Sequence, residues 1–362
     1  MKIHCIIMAG GRGTRFWPES RNKRPKQLIA LAGTKTLLEE TIERVLPICP
    51  ASNIHIVTGK DIKGMVEQIA SVYKGINIIA EPKGRNTAPC IGYMASRISF
   101  FSSPEDIMVV LPSDHLVKDK TKFLETIEAA VKAAAEYNKL VTIGIKPSSP
   151  HTGYGYIQTG EKIKAEKNNI NIHNVKTFKE KPSIEKAKQF LESGDYLWNA
   201  GMFIVKAGTM LSEIKKHMPE LYKGIGEIAQ HFGKKDEWDV FNEKFAVLPS
   251  ESIDFGVIEK LPETLTIPAD FGWNDLGSWN SLYDVSDKKE FGISNVEKVI
   301  CIDSRDVVVN CSDKKKLIAL LDVQDLIIID TDDVLLVANR KDDQRVKEIV
   351  EKLKGEKLDE HL

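Results

Sequence analysis

The run Gly10-Gly11-Arg12-Gly13-Thr14-Arg15 is built to hold an anion. Gly10, Gly11 and Gly13 leave backbone N–H groups unshielded by side chains, and Arg12, Arg15, Arg21, Lys23, Arg24 and Lys26 follow closely. A turn of this kind can wrap a phosphate chain while the cations meet its charge. Two other phosphate loops are excluded. Counted from Gly11, the third glycine position of G-x-G-x-x-G is Phe16, and no G-x-x-x-x-G-K-[ST] occurs.

Further polar residues stand where apolar runs end. Glu81 closes the run Ile76–Ala80, and a carboxylate there can accept from both N1–H and the 2-amino group of guanine, a paired contact that adenine lacks. Asp114 follows the run Ile107–Leu111. A lone Asp after a strand is ordinarily a turn former, but magnesium needs only one or two carboxylates and takes its other ligands from phosphate and water. In Gly153-Tyr154-Gly155-Tyr156, glycines beside aromatics let a sugar approach the backbone. Glu180 can accept from two hydroxyls, Lys181 can meet a phosphate, and Asn199 offers a donor and an acceptor.

The first stretch, continued through Trp17-Pro18-x-Ser20-Arg21 and Pro25-Lys26-Gln27, resembles the signature of the sugar-1-phosphate nucleotidyltransferases, and of their mannose-1-phosphate guanylyltransferase branch. The resemblance recurs in Glu81-Pro82-x-x-Arg85-Asn86-Thr87-Ala88-Pro89, Phe178-x-Glu180-Lys181-Pro182, Ser252-Ile253-Asp254 and Trp273-x-Asp275-x-Gly277-Ser278-Trp279. It implies transfer of GMP from GTP to mannose 1-phosphate, giving GDP-mannose and pyrophosphate by Mg2+-assisted attack of the sugar phosphate on the α-phosphorus. Arg15 and Lys26 would be catalytic, and Asp114 and Asp275 would hold the metal. Gly10, Gly11, Gly13, Thr14, Glu81, Asn86, Thr87 and Ala88 would bind the nucleotide, with Glu81 acting through its side chain or its backbone. Gly155, Glu180, Lys181 and Asn199 would bind the sugar phosphate. Asp254 either orders the site or touches substrate, and His115 is assigned no role, a neighbour that shapes the turn being preferred to a base.

The elements that must position these residues alternate. Apolar runs at Ile3–Ile7, Ile54–Val57, Ile76–Ala80, Ile107–Leu111 and Leu140–Ile145 predict strands, and helical stripes lie between them. The fold class expected is α/β: a doubly wound, mostly parallel, Rossmann-like sheet, the nucleotidyltransferase fold. Thr36-x-x-Glu39 predicts a capping box, with Leu38, Ile42 and Val45 along the helix it opens. Met65, Val66, Ile69 and Val72 are expected inward on the next helix, and Ile91, Met94, Ile98 and Phe101 on the one after. Val175–Pro182 reads as an exposed strand at the lip of a second lobe. The stretch from Ala207 to about Leu248 is helical, its aromatics Trp238, Phe241 and Phe245 packing. Beyond Asp287, short runs at 299–303, 307–310, 317–321, 326–330 and 334–337 predict a small β-rich domain, β-solenoid-like or sandwich. The helix 342–354 closes the chain, its stripe Val346, Ile349, Val350 and Leu353 docking internally or on a second copy as a homodimer. Residues 1–287 are thus expected to form the catalytic domain and 288–362 the C-terminal domain.

A net charge of −1 over 362 residues disfavours general nucleic-acid binding. The five cysteines show no C-x-x-C spacing, so neither a zinc site nor a disulfide framework is expected. No apolar stretch reaches the ~18 residues of a membrane span, and a cytoplasmic protein is expected. One rival keeps the fold and takes UTP or dTTP with glucose 1-phosphate, for which an amide at position 81 would suit better. Another is a non-catalytic, sugar-nucleotide-binding regulatory subunit, which would tend to lose Lys26 or one of the aspartates. A nicotinamide oxidoreductase is disfavoured by the missing glycine.

Overall fold

A computed structural model of the chain describes residues 1–31, 33–165 and 170–362. The chain divides into two units: Met1–Gly10, Thr41–Ser113 and Val117–Trp273 form the first, and Gly11–Glu40, Asp114–Leu116 and Asn274–Leu362 the second.

The first unit is built on a nine-stranded sheet. Its order from one edge is Asn77–Glu81, Ile54–Gly59, Ile3–Ala9, Ile107–Pro112, Tyr196–Lys206, Val141–Ile145, Leu265–Ala269, Asn171–Lys179, Tyr156–Ala165. The first four strands are parallel. Ile107–Leu111 is buried throughout, as a strand covered on both faces requires.

The expected mostly parallel sheet is corrected beyond that point. Tyr196–Lys206 runs antiparallel to both neighbours, and Asn171–Lys179 runs antiparallel to Leu265–Ala269 and to Tyr156–Ala165. The parallel expectation assumed one helical crossover between neighbouring strands, whereas Tyr196–Lys206 enters the sheet only after the antiparallel pair Tyr156–Ala165 and Asn171–Lys179 and the helix Ile184–Ser193, so a single crossover does not set its direction. The helix Ile184–Ser193 is capped by Ser183 and ended by Gly194 at φ 74°, which turns the chain directly into the long strand. The strand expected at the lip of a second lobe is instead part of this same sheet.

Helix Thr87–Phe101 and the helices Ala207–His217, Pro219–Ala229 and Glu237–Phe245 share one core, in which Tyr93, Phe241 and Phe245 are buried. Three expected core residues point outward. Val72 is beyond the last turn of its helix, and Phe101 and Trp238 stand at the ends of theirs, each about half exposed. The guanidinium of Arg97 lies 4.7 Å from the Phe101 ring centroid and 5.3 Å from that of Trp238, which explains their surface placement.

In the second unit, Thr36 and Glu39 form the reciprocal capping box. The strands Gly292–Ser294, Val307–Cys311 and Leu326–Asp330 lie parallel in one sheet, with Leu335–Asn339 added antiparallel. Lys298–Ile302 and Leu317–Leu321 pair in parallel in another, so consecutive strands alternate between sheets. Asp303 and Asp306 recur as Asp322 and Asp325, all at positive φ, where a short polar side chain tolerates the sharp turn. The closing helix runs Val346–Glu356 and docks internally: Val346 and Val350 are buried with Phe16, Trp17 and Trp279. Among the described residues no helix is long and apolar enough to cross a membrane.

Candidate active site

A cavity of about 320 Å³ in the second unit is lined by Gly13, Thr14, Arg15, Lys26, Asp114, His115, Asp275, Gly277 and Lys347. Three of the motifs therefore converge on one space. Lys26, one of the lining residues, is only 5% exposed. Its Nζ donates to Asp114 Oδ2 at 2.8 Å and to the Asp275 carbonyl at 2.6 Å. Burial opposes ionisation of Asp114, but the Lys26 and His115 charges and the Lys26 hydrogen bond hold its carboxyl below the usual value.

The local sequence explains this arrangement. Gly13 adopts φ 62°, and a Cβ there would collide with Lys26 Cβ. Ser20 Oγ donates to the Gly13 carbonyl at 2.7 Å and fastens the turn. On the other side, Asn274 Oδ1 accepts from Leu276 N–H at 2.7 Å and Asp275 Oδ1 from Gly277 N–H at 3.0 Å, both tight turns of the side-chain type. Ser278 caps the helix Trp279–Val285. Fully buried Trp279 meets Phe16 edge-on, with ring centroids 4.9 Å apart, and its Nε1 donates to the Trp17 carbonyl at 3.3 Å. The glycine turn and the aspartate turn thus share one aromatic anchor.

Of the remaining expected site residues, Gly11 belongs to the second unit without being among those that line the cavity, and the others lie in the first unit. Glu81 is buried at the end of its strand, with Oε1 lacking a partner, and burial pushes its carboxyl up to about 7 while a hydrogen bond with the Cys90 thiol works against the shift. Its carbonyl accepts from Lys60 N–H at 3.0 Å. Asn86 holds φ 66° and ψ −171°, a conformation costly for any residue but glycine, and caps Thr87–Phe101 by accepting from Thr87 N–H. Thr87 Oγ1 accepts from Ile253 N–H at 2.9 Å, and Ala88 N–H donates to the Glu251 carbonyl at 3.1 Å. The start of this helix therefore holds the Ser252-Ile253-Asp254 turn.

A second cluster gathers Gly155, Glu180, Lys181, Asn199 and Asp254. Lys181 Nζ pairs with Glu180 Oε1 at 2.6 Å. Asn199 Nδ2 donates to Asp254 Oδ1 at 3.0 Å, while its Oδ1 accepts from Gly201 N–H at 3.1 Å. A Cβ on Gly155 would strike Glu180 Oε2 and come within 3.3 Å of Asn199 Cβ. Burial, reinforced by the Glu180 charge, pushes the Asp254 carboxyl up to about 7. Asp254, expected to order the site or touch substrate, holds the Asn199 amide. One residue carries more than its sequence context announced: Lys347 lines the first cavity from a charged helix with no motif. The one signal for Lys347 was a lysine in a helix's first turn, where the macrodipole disfavours it.

An amide-lined turn, a buried lysine and two carboxylates, in a chain built on a mixed α/β sheet, define a protein that handles phosphorylated substrates. The chain belongs to the nucleotidyl transferase family, whose model matches residues 4–291. The MannoseP isomerase/GMP-like beta-helix domain matches residues 297–353. The chain is 38% identical over 363 residues to the mannose-1-phosphate guanylyltransferase of Salmonella montevideo, covering 99% of this chain and 76% of that one. It is 38% identical over 353 residues to the xanthan biosynthesis protein XanB of Xanthomonas campestris pv. campestris (strain B100), covering 97% and 73%. The crystal structure of a mannose-1-phosphate geranyltransferase from Thermus thermophilus matches with a TM-score of 0.86 at 30% identity, over 98% of this chain and 100% of that one.

Proposed function

We propose that this protein transfers GMP from GTP to mannose 1-phosphate, forming GDP-mannose and pyrophosphate. The observation that carries the reading is the meeting of Lys26, Asp114 and Asp275 in a cavity walled by Gly13, Thr14 and Arg15. The names of the relatives support the choice of substrates.

A sugar phosphate is mostly dianionic near neutrality, its second pKa being about 6. One of its oxygens bonds to the α-phosphorus, the bond from that phosphorus to the bridging oxygen breaks, and pyrophosphate leaves with the electron pair. No side-chain nucleophile is needed, so the protein's task is to relieve repulsion between two anions and to position them. The amides of Gly10, Gly11 and Gly13, with Thr14 and Arg15, hold the triphosphate. Lys26 uses two of its three N–H groups on Asp114 and the Asp275 carbonyl, and the third meets the oxygens shared by nucleophile and α-phosphate. Glu81 reads guanine through its buried carboxyl, beside a segment held by Asn86, Thr87 and Ala88. Gly155, Glu180, Lys181 and Asn199 take the sugar phosphate.

The carboxylates fit a hard cation. Both line one cavity, and two carboxylates leave room for further ligands. That suits an ion which completes its shell with phosphate and water. Asp114 and Asp275 would hold Mg2+, which when bound supplies charge neutralisation at the α-phosphate.

Crossing GTP, UTP and ATP with mannose and glucose 1-phosphates, and measuring pyrophosphate release, tests the reading. Turnover is expected for GTP with mannose 1-phosphate, to stop with EDTA and to return with Mg2+. Preference for UTP with glucose 1-phosphate would replace it with the rival transferase, and binding without turnover with the regulatory subunit.

Within the same reading, the first sheet is Rossmann-like and doubly wound about its parallel half. Residues 1–287 serve as the catalytic domain, and 288–362 as a β-solenoid whose coils alternate between sheets. Ile300, Ile302, Leu317 and Leu321 on the paired strands are each more than half exposed, and this apolar face supports a homodimer, which sedimentation would reveal. The family and the composition support a cytoplasmic location.

A further inference from the structure

Lys347 lines the same cavity as Arg15, Lys26, Asp114 and Asp275, although it belongs to the last helix of the chain. Its helix is fixed in phase by Val346 and Val350, buried with Phe16 and Trp17. The turn before it is fixed as well, because Asp343 Oδ2 accepts from Asn280 N–H at 3.3 Å, a few residues after Asp275. The lysine is therefore carried to the cavity by a rigid support on both sides. It gains nothing from the helix, since a cation in the first turn opposes the macrodipole. It forms no ion pair among the described residues. Lys26, in contrast, is committed to Asp114. The cations lining the cavity beside the Gly13–Arg15 turn and not paired with a lining carboxylate are then Arg15 and Lys347.

Resting on the transferase reading above, we propose that Lys347 is a further catalytic residue: it contacts the β- and γ-phosphates of the nucleotide and stabilises the departing pyrophosphate. In the step already described, the electron pair of the broken bond settles on the former α–β bridging oxygen, now a terminal oxygen on the β-phosphorus of pyrophosphate. Lys347 meets that charge through its ammonium, with no proton or bond of its own exchanged. A cation reserved for the leaving group must act in both directions of the reaction, on GTP going forward and on pyrophosphate in reverse.

The experiment compares the full-length protein with Lys347→Met, which keeps the apolar stem, and Lys347→Arg, which keeps the charge. In Lys347→Met, kcat/KM for GTP and for pyrophosphate falls about 10- to 100-fold, the range for losing a hydrogen bond to a charged group. KM for mannose 1-phosphate moves less than twofold, Tm is unchanged, and Lys347→Arg recovers most of the loss. Binding of inorganic tripolyphosphate, followed by calorimetry, weakens in parallel. Wild-type values for both constants in Lys347→Met, or an equal loss toward the sugar phosphate, overturn the assignment. Absence of turnover in the wild type sinks the transferase reading instead, and tripolyphosphate binding alone still decides whether Lys347 holds a phosphate chain.

Discussion

Lys26 Nζ and Asp114 Oδ2 stand 2.8 Å apart, joined across 88 positions of the chain. The pair balances the charge of a buried ammonium inside the cavity. Under the proposed transfer, the carboxylate would hold Lys26 in place until a substrate phosphate arrives.

Removing one preorganised charge of this kind typically costs ~3–4 kcal/mol of transition-state stabilisation, or about 10²–10³ in rate. Lys26→Met and Asp114→Ala are each expected to lose turnover by at least that factor, measured as pyrophosphate release. The two losses should not add, because each variant leaves the other group without its partner. Near-normal turnover in either would remove its assigned role.

Trp279 is expected to matter for stability and catalysis together. It is fully buried, and truncating such a side chain to alanine costs about 3–5 kcal/mol. Because the ring also anchors Phe16, Trp279→Ala should lower kcat at temperatures where the protein remains folded. A variant with the stability loss in urea but unchanged kcat would show that the two turns hold their positions without it.

Gly155→Ala tests the sugar cluster. The added methyl has no room beside Glu180 Oε2, so the carboxylate must swing away. KM for mannose 1-phosphate should rise about tenfold, the effect of one misplaced hydrogen bond, while KM for GTP stays within twofold. The opposite pattern would put Glu180 on the nucleotide.

Asp254 sets a pH dependence. Its carboxyl is raised to about 7 by burial and by Glu180, against about 4 in an unfolded chain. Between those values the folded state holds a proton that the unfolded state has released. This contribution to stability is present in full below about pH 4 and falls as pH rises toward 7, by at most about 1.4 kcal/mol per unit. Glu81, raised to about 7 by burial, acts with the same sign. Thermal melts from pH 5 to 8 should show Tm declining for the wild type and a flatter profile for Asp254→Asn, whose amide can still accept from Asn199. Identical slopes would mean that Asp254 ionises normally.

The sequence by itself determined much. The strands of the parallel half, the capping box at Thr36 and Glu39, the helix bounded by Ser183 and Gly194, and the short C-terminal strands were all legible, because each depends on periodicity or turn chemistry within a few residues. The motifs likewise named the residues that the structure gathers around Lys26 and around Asn199.

Only the tertiary structure decided which of these residues meet. That residues 11–40 and 114–116 share a unit with 274–362, that Tyr196–Lys206 enters its sheet antiparallel, that Asp254 steers Asn199, and that Lys347 reaches the first cavity have no local signature. The reason is physical. Periodicity reports which face of an element is buried, whereas convergence of side chains from distant segments depends on how those faces pack, here on Phe16 against Trp279 and on Val346 and Val350 beneath Lys347.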